Sequence, residues 1–388
     1  MPLNRRRFLL LSGLTLSAAT GAIACTKNSP RATAQDSSAT VDLPSDAPAQ
    51  SGIGPAGLYA PLRGDIRLAV ISDLNSAYGA TDYREEVIQG IALLPEWQPD
   101  LVLCAGDMVA GQSLDLSERE VEAMWDAFDE KILAPIRGAS LPFAMTIGNH
   151  DASNYQRNGE FVYVLDRLET EKYWNGHQSD TALTFVEAEG FPFHYSFEQN
   201  GIFYLVWDAS SANVPAEQIA WADRALSSPE AQNARIRMVM GHLPMYAVSQ
   251  RRDRAGEYLN QADELRDLLI RHNVQTYISG HHHAYFPGKS VGENGSLNML
   301  HCGALGSGPK SLLTTAEAPY QTLTIMDIFL SDARTEYTTY NMNTMDVVDV
   351  QRLPRLIVGP NGKEIRQDIS LVDLTPEEQA LPYVPSEA

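Results

Sequence analysis

The chain has 388 residues, of which 44% are hydrophobic and 20% are charged, and its formal net charge is −20 at pH 7. The acidic balance argues against a nucleic-acid-binding surface and against attraction to anionic lipid headgroups, because both need clustered basic side chains. Three cysteines without a CxxC pair exclude a disulfide scaffold and a zinc ribbon, so stability must come from an apolar core.

Residues 1–25 have the pattern of an export signal. Arginines at positions 5–7 precede Phe-Leu-Leu and an apolar stretch too short to span a membrane comfortably. Paired arginines before Phe-Leu are typical of twin-arginine export, and an ordinary secretory signal is the alternative. An Ala-Ile-Ala-Cys lipobox-like run would attach a lipid to Cys25, whereas an Ala-Thr-Ala run at 32–34 would release the chain. We therefore predict a periplasmic or cell-surface protein, either anchored in a membrane as a lipoprotein or free.

Residues 26–60 are rich in Ser, Ala, Pro, Thr and Gly and lack apolar periodicity, which predicts a disordered linker. We expect the main folded domain to occupy residues 61–340. Residues 341–388 form a C-terminal extension, in which a Gly-Pro-Asn-Gly run at 359–362 indicates a turn between two apolar strands. The extension is therefore predicted to be a hairpin followed by a tail.

Five short apolar runs in the main domain each stop at an Asp, Asn or His. Runs of this kind, bounded by Gly and polar residues, are typical of buried strands. Helix-like segments such as 118–131 and 261–271 lie between them, which predicts βαβ units and a largely parallel sheet. Because ligands bind at the carboxyl ends of strands in such sheets, we expect the polar residues to meet there. The runs are 66–71, 100–105, 142–147, 236–240 and 274–279.

The residues that end these runs are carboxylates, amides and imidazoles, with no cysteine among them. Such ligands suit Mn, Fe, Zn, Co or Ni, and they disfavour a thiolate zinc site or an all-oxygen calcium cage. Two ions about 3.5–4 Å apart are the usual apparatus for phosphoryl displacement. We therefore predict a centre of two divalent or trivalent metal ions, which would also give an acidic chain the positive charge that an anionic substrate needs.

The five run ends resemble, in order, the motifs of the calcineurin-like metallophosphoesterase family, D-x-H, G-D, G-N-H-[DE], G-H and G-H-x-H. Here they read Asp73-Leu74-Asn75, Gly106-Asp107, Gly148-Asn149-His150-Asp151, Gly241-His242 and Gly280-His281-His282-His283. The resemblance covers residues 66–301. It implies an α/β fold, a four-layer α/β/β/α sandwich with two mixed sheets, and a metal site at the C-terminal ends of the strands.

A closer likeness is to the purple acid phosphatase branch of that family. It is carried by the Tyr-Ser-Phe run at 195–197, the apolar run that follows it, and the stretch 241–246. That branch has a metal-binding tyrosine three residues after the aspartate of the G-D motif, where this chain has Ala110. We therefore expect neither a tyrosinate–iron colour nor a built-in preference for ferric iron.

Residue by residue, the resemblance implies two ligand sets that share Asp107 as a bridge. The ligands would be Asp73, Asn75, Asp107 and His283 for metal one, and Asp107, Asn149, His242 and His281 for metal two. Asn75 stands where the family has histidine, and its neutral amide oxygen is the weaker ligand, so metal one is expected to bind loosely or to favour Mn. His150 would protonate the leaving oxygen, with Asp151 orienting its ring, while a metal-bound hydroxide attacks phosphorus.

The resemblance implies hydrolysis of phosphate esters in a small phosphorylated substrate. The acidic charge predicts no nucleic-acid polymer as a partner, and no protein partner is predicted. One alternative is a phosphodiesterase of cyclic nucleotides or phospholipid headgroups, which would use the same centre with different pocket walls. Another is a surface-anchored metal- or phosphate-binding protein in which Asn75 leaves metal one empty. The intact His150–Asp151 pair disfavours a pure binding protein, because such a protein needs no positioned proton donor.

Overall fold

The computed structural model describes residues 52–292, 295–315 and 317–386. The predicted export signal, the candidate lipid-attachment site at Cys25 and most of the predicted linker lie outside these described residues. Within them, no helix combines the length and the hydropathy that crossing a bilayer requires.

Sixteen strands and nine α-helices make up the described part of the chain. The strands are β1 (Ile66–Ile71), β2 (Leu101–Cys104), β3 (Phe143–Met145), β4 (Gln156–Arg157), β5 (Glu160–Phe161), β6 (Thr184–Glu187), β7 (Tyr195–Gln199), β8 (Ile202–Val206), β9 (Ile236–Met240), β10 (Thr276–Ser279), β11 (Phe286–Gly292), β12 (Gly295–His301), β13 (Thr322–Phe329), β14 (Arg334–Asn341), β15 (Leu356–Gly359) and β16 (Gly362–Arg366). The helices are α1 (Glu85–Trp97), α2 (Glu118–Phe128), α3 (Ala134–Gly138), α4 (Asn149–Ala152), α5 (Val164–His177), α6 (Ala216–Leu226), α7 (Pro229–Asn233), α8 (Ala262–Arg271) and α9 (Pro376–Gln379).

The strands form two mixed sheets and one small hairpin of β4 and β5. The five-stranded sheet has the order β14-β13-β1-β2-β3, in which β1, β2 and β3 are parallel and β13 is antiparallel to β1. The nine-stranded sheet has the order β15-β16-β11-β12-β10-β9-β8-β7-β6, in which β8, β9, β10 and β12 are parallel. The expectation of two mixed sheets is confirmed, and parallel pairing is confined to the central strands.

Strand β8 shows how the layers pack. Ile202, Tyr204 and Val206 belong to a core that includes residues of the five-stranded sheet, whereas Phe203 and Leu205 pack in a second core with residues of α6 and α8. Because side chains alternate across a strand, one face of this sheet meets the other sheet and the opposite face meets helices. Helices α1 and α2 bury their apolar residues in the first core. The fold is the predicted four-layer α/β/β/α sandwich.

A buried ion pair joins β1 to β13. Arg67 Nε and Nη2 donate to the two carboxylate oxygens of Asp327 at 2.8 and 2.9 Å, and both side chains are buried. The guanidinium group also donates to the carbonyl oxygens of Ile53 and Pro61, at 2.7 and 3.0 Å. Residues 52–60, which the sequence pattern places in the linker, therefore contact the folded domain.

The C-terminal extension continues the nine-stranded sheet. Strands β15 and β16 form the predicted hairpin around Pro360 and Asn361, and β16 pairs with β11. The Glu364 carboxylate on β16 lies 2.8 Å from Nε2 of His301 on β12, and both side chains are buried. This strand pairing and polar contact attach the hairpin firmly to the sheet.

Candidate metal centre

The turns after β1, β2, β3, β9 and β10 bring the five sequence motifs together at the carboxyl ends of these strands. Asp73, Asp107, His281 and His283 each have a positive φ angle, between 52° and 63°. Positive φ is uncommon for residues that carry a side chain, and it turns the chain sharply where each strand ends. Four predicted ligands therefore lie on strained backbone, which is a frequent property of functional sites.

Two glycines allow these turns to approach the carboxylates. A Cβ atom on Gly148 would lie 2.1 Å from Asp107 Oδ1, and one on Gly280 would lie 2.8 Å from Asp73 Oδ2. No side chain can be accommodated at such distances, so only glycine allows the loops to converge on the two aspartates.

Four predicted ligand atoms form the metal-two cluster, which consists of Asp107 Oδ2, Asn149 Oδ1, His242 Nε2 and His281 Nδ1. The amide oxygen of Asn149 lies 3.0 Å from His242 Nε2 and 2.8 Å from His281 Nδ1. His242 Nε2 also lies 3.3 Å from Asp107 Oδ2. Ligand atoms that share one ion through bonds of about 2.1 Å are themselves about 3.0–3.4 Å apart. The spacing of this cluster therefore fits a common ion.

Three predicted ligands form the metal-one cluster, which consists of Asp73, Asp107 and His283. Their ligand atoms all lie within 4.8 Å of one another and the residues are buried. His283 Nε2 is 3.2 Å from Asp73 Oδ1. Asn75, the fourth predicted ligand, is buried nearby, but its amide oxygen accepts a hydrogen bond from Ser307 Oγ. The amide oxygen of Asn75 is thus already hydrogen-bonded to the hydroxyl group of Ser307, a residue that lies outside the five motifs.

Hydrogen bonds determine which ring nitrogen is free on two of the histidines. Nδ1 of His242 lies 2.7 Å from the carbonyl oxygen of Ala105, and Nδ1 of His283 lies 2.8 Å from that of Gly308. A carbonyl oxygen only accepts, so each Nδ1 carries a proton. In the neutral ring, Nε2 therefore keeps its lone pair, and in both residues Nε2 is the atom that faces the cluster.

In His281 the two ring nitrogens have the opposite roles. Its Nε2 lies 3.0 Å from the Glu257 carboxylate, which accepts the proton, so Nδ1 keeps the lone pair and faces Asn149. The amide nitrogen of Asn149 donates to Gln112 Oε1 at 2.7 Å, which turns the amide oxygen towards the histidines. Partners of this kind, which bind the far side of a ligand, are the usual means of orienting metal-binding side chains.

The donor set fits a cation. Neutral His242 and His281 would point lone pairs at the oxygen of Asn149, so acceptor atoms meet with no proton between them. A positive ion between these atoms removes the repulsion, and imidazole, amide and carboxylate donors together suit a first-row divalent ion. The residues present therefore fit the metal centre that the sequence motifs predicted.

The pKa values also indicate that the cluster of ligand atoms is stabilised by positive charge. Burial lowers the pKa of His242, but the carboxylates of Asp107 and Asp73 raise it to about 9. Burial raises the pKa of Asp107, but His242 lowers it below the ordinary range of an aspartate. Burial and then the neighbouring Arg252 hold the pKa of His281 well below its usual value, so this ring is neutral. Its lone pair is therefore available to a metal ion.

Asp151 has different partners from those expected. Its buried carboxylate accepts four hydrogen bonds of 2.7–2.9 Å from the backbone N–H groups of Asp107, Met108, Val109 and Gly148. The ring of His150 is held instead by the carbonyl oxygen of Gly111, 3.1 Å from Nδ1. The structure therefore corrects the orienting role predicted for Asp151. A buried carboxylate needs several donors, and this one shapes the loop that presents Asp107.

His150 lies in the wall of a pocket of about 580 Å³ beside the metal-two cluster, together with Asn149 and His281. Its backbone N–H donates to Asp107 Oδ1 at 2.8 Å, and its ring lies 5.2 Å from the ring of Tyr78. Since Gly111 binds Nδ1, Nε2 is the nitrogen available for proton exchange with a ligand. His282, which alternation in the motif directs away from the ligands, is buried between the backbone groups of neighbouring loops.

The partners that no motif predicted are Gln112, Glu257 and Ser307. Each bonds to a predicted ligand, namely Asn149, His281 and Asn75 respectively. Gln112 follows Asp107 by only a few residues, but Glu257 and Ser307 lie in loops with no fixed spacing from any motif. Nothing in the sequence singles them out.

The fold is a layered α/β/β/α sandwich with candidate Asp, Asn and His ligands at its strand ends, an arrangement that can hold metal ions. The sequence profile of calcineurin-like phosphoesterases matches residues 66–285, which is more than half of the chain. The chain belongs to the calcineurin-like phosphoesterase family.

Purple acid phosphatases are among the proteins that this chain resembles. Purple acid phosphatase 22 of Arabidopsis thaliana is 24% identical over 185 residues, which are 46% of this chain and 39% of that protein. The chain thus spans well under half of this relative. The structure of purple acid phosphatase PPD1 from yellow lupin (Lupinus luteus) seeds aligns with a TM-score of 0.54 and 16% identity, covering 75% of this chain and 54% of that chain. A dimetal phosphatase from Danio rerio aligns with a TM-score of 0.47 and 12% identity, over 73% of this chain and 98% of that chain.

Proposed function

We propose that this protein hydrolyses phosphate esters in small molecules with a centre of two metal ions. Membership of the calcineurin-like phosphoesterase family supports metal-dependent hydrolysis in general. The observation that carries the more specific proposal is the position of Asp107, which is the one residue common to the two ligand clusters. A shared carboxylate between two adjacent ligand sets is the arrangement that a two-ion phosphoesterase requires.

In this proposal the metal-one cluster and the metal-two cluster would each hold one ion, and Asp107 belongs to both clusters. When bound, two such ions acidify a water molecule and neutralise charge on the phosphoryl oxygens. The residues around the ligands then have a supporting role. Gln112, Glu257 and the carbonyl oxygens of Ala105 and Gly308 keep the ligands oriented and fix the ring protons on the sides that face away from the ions.

His150 would supply the proton that the leaving group needs. Its Nδ1 proton is held by Gly111, so in the charged ring Nε2 carries the second, transferable proton. As the oxygen of a water molecule bonds to phosphorus, the bond from phosphorus to the ester oxygen breaks. The ester oxygen takes the proton from Nε2 and leaves as an alcohol. The attacking water molecule loses one proton, which returns to Nε2 through solvent, so the products are this alcohol and inorganic phosphate. The ring of Tyr78 lies beside that of His150, with the ring centroids 5.2 Å apart.

We also propose that the protein acts outside the cytoplasmic membrane, with residues 61–340 as its phosphoesterase domain. The support is the arginine-rich leader and the linker-like composition after it. Cys25 is the proposed lipid-attachment site. Mass spectrometry of the mature N-terminus separates a lipid on Cys25 from cleavage after Ala34, which would leave a free protein.

Turnover of nitrophenyl phosphate and bis-nitrophenyl phosphate tests the proposed function. The protein is stripped with a chelator and then supplied with Mn, Zn, Fe, Ni or Co. We expect turnover of at least one ester to disappear with the metal and to return with one or more of the ions, because both clusters need a cation. The ester that reacts faster separates a monoesterase from a phosphodiesterase. A folded protein that binds these ions but hydrolyses neither ester would be a binding protein, and the proposal would be wrong.

A further inference from the structure

A second pocket adjoins the metal centre and is lined by basic side chains. Its volume is about 580 Å³, and the basic residues in its wall are Arg251, Arg252, Arg254 and Lys310. Arg252 and Arg254 also line the pocket that contains His150, so the two pockets share a wall. Four cations in one pocket are unexpected in a chain with a net charge of −20. We call this second pocket the basic pocket.

The carboxylates around the basic pocket only partly balance it. Glu257 pairs with Arg252 at 2.5 Å and with Arg254 at 3.1 Å. Asp253 is used by the C-terminal segment, because it accepts hydrogen bonds from Tyr383 at 2.8 Å and from the backbone of Ser386 at 2.7 Å. Among the described residues, four cations therefore face two carboxylates, and these residues give the basic pocket an excess of positive charge.

Arg252 places positive charge next to the metal-two cluster, and the backbone of Lys310 is attached to the metal-one cluster. Nη1 of Arg252 lies 3.3 Å from Nε2 of His281, whose other nitrogen faces the metal-two cluster. The backbone N–H of Lys310 donates to the carbonyl oxygen of His283 at 3.0 Å, so Lys310 is attached to a ligand of the metal-one cluster. An anion held in the basic pocket would therefore be separated from the metal centre by only a side chain or two.

The loop that carries the arginines is held in place. Arg251 donates its backbone N–H to Ser386 Oγ at 2.8 Å, and Glu257 at the end of the loop is held by His281. The side chain of Arg252 is only 19% exposed, whereas that of Arg254 is 77% exposed and can adjust to a ligand. Arg252 is therefore positioned before a ligand arrives, which reduces the entropy lost on binding.

We propose that the basic pocket binds a second phosphate group of the substrate, so that the preferred substrates are small molecules with at least two phosphate groups. One phosphate lies at the metal centre while the other contacts Arg254 and Lys310. Guanidinium and ammonium groups are the usual partners of phosphate, and charge-assisted hydrogen bonds are the strong ones. The proposal deepens the proposed function and rests on it, because it assumes that the reacting phosphate lies at the metal centre.

Fructose 1,6-bisphosphate and fructose 6-phosphate form a matched pair of probes. Binding is measured by calorimetry in metal-loaded His150→Ala protein, in which removal of the proton donor slows hydrolysis. We expect the bisphosphate to bind about tenfold more tightly or better, because two added charge-assisted contacts are each strong enough for that factor. Either phosphate can lie at the metal centre, so the measured affinity ratio is divided by a statistical factor of about two before the comparison.

The double variant Arg254→Ala/Lys310→Ala in the same background is expected to bring the two affinities to within about threefold. Arg271→Ala, which removes an exposed arginine on α8, is the matched control and should leave the ratio unchanged. Added salt should also reduce the ratio, because the basic pocket acts through charge. Equal affinities in the parent protein, or a ratio that survives the double variant, would overturn the proposal.

Failure of the subsite and failure of the proposed function give different results. Nitrophenyl phosphate turnover by protein with intact His150 reports on the metal centre alone, because this probe carries a single phosphate. Turnover without a bisphosphate preference contradicts the basic-pocket proposal but still supports the proposed hydrolysis of phosphate esters. A bisphosphate preference in binding that is lost in the double variant supports the basic pocket even if no ester is hydrolysed.

Discussion

Asp107→Asn is expected to lower turnover of nitrophenyl phosphate by about 1,000-fold or more, because this carboxylate belongs to both ligand clusters. The amide keeps the shape of the side chain and removes the negative charge that two cations would share. Metal content per chain should fall in the same samples, as measured by elemental analysis. Thermal unfolding in the presence of a chelator checks separately that the variant is folded, because Asp107 is also the buried partner of His242 in metal-free protein.

Asp126→Asn is the matched control for this substitution. Asp126 is an exposed residue on α2, so the same chemical change there should leave turnover and metal content unchanged. Full turnover in Asp107→Asn would mean that Asp107 does not hold the ions, and the assignment of both clusters would be wrong.

His150→Ala is expected to lower turnover in a way that depends on the leaving group. For an alkyl ester such as glycerol phosphate the fall should be about 100- to 10,000-fold, because the alkoxide must be protonated as it leaves. Nitrophenolate leaves without a proton, so turnover of nitrophenyl phosphate should fall much less. Metal content should stay the same, because His150 belongs to neither cluster. Steady-state kinetics with both esters provides the comparison.

His272→Ala is a control at a histidine far along the chain, on the C-terminal side of α8, where the ring pairs with Asp223. Turnover of both esters should be unchanged in this variant. Equal losses for the alkyl and nitrophenyl esters in His150→Ala would show that the ring supports the site structurally and does not protonate the leaving oxygen.

The buried strands could be predicted because their apolar runs are short and each ends at a polar residue. Strands β1 and β9 have the predicted bounds, and β2, β3 and β10 are shorter than their runs by two, three and two residues respectively. A run shows where the chain is buried, but strand ends depend on pairing with neighbours. The sheet order could not be predicted in the same way, because β13 pairs with β1 although most of the domain separates them.

The ligands could be predicted because chemistry restricts them to a few residue types beside glycine. Their supporting contacts could not, since these depend on distant parts of the chain. The Asn75–Ser307 hydrogen bond joins residues separated by 232 positions. The assignment of Asp151 went wrong for a related reason. Adjacency to His150 in the motif suggested contact with its ring, whereas the carboxylate is turned inwards to the backbone of the loop after β2.

The most direct test of a two-ion centre is a titration of metal-stripped protein in which bound metal and turnover are measured in the same samples. We expect two ions per chain, with turnover rising as the second ion binds. The second ion should bind more weakly, because the oxygen of Asn75 in the metal-one cluster is already bonded to Ser307. Asn75→His should strengthen that weaker step. Full turnover at one ion per chain, or turnover without any metal, would contradict the two-ion centre.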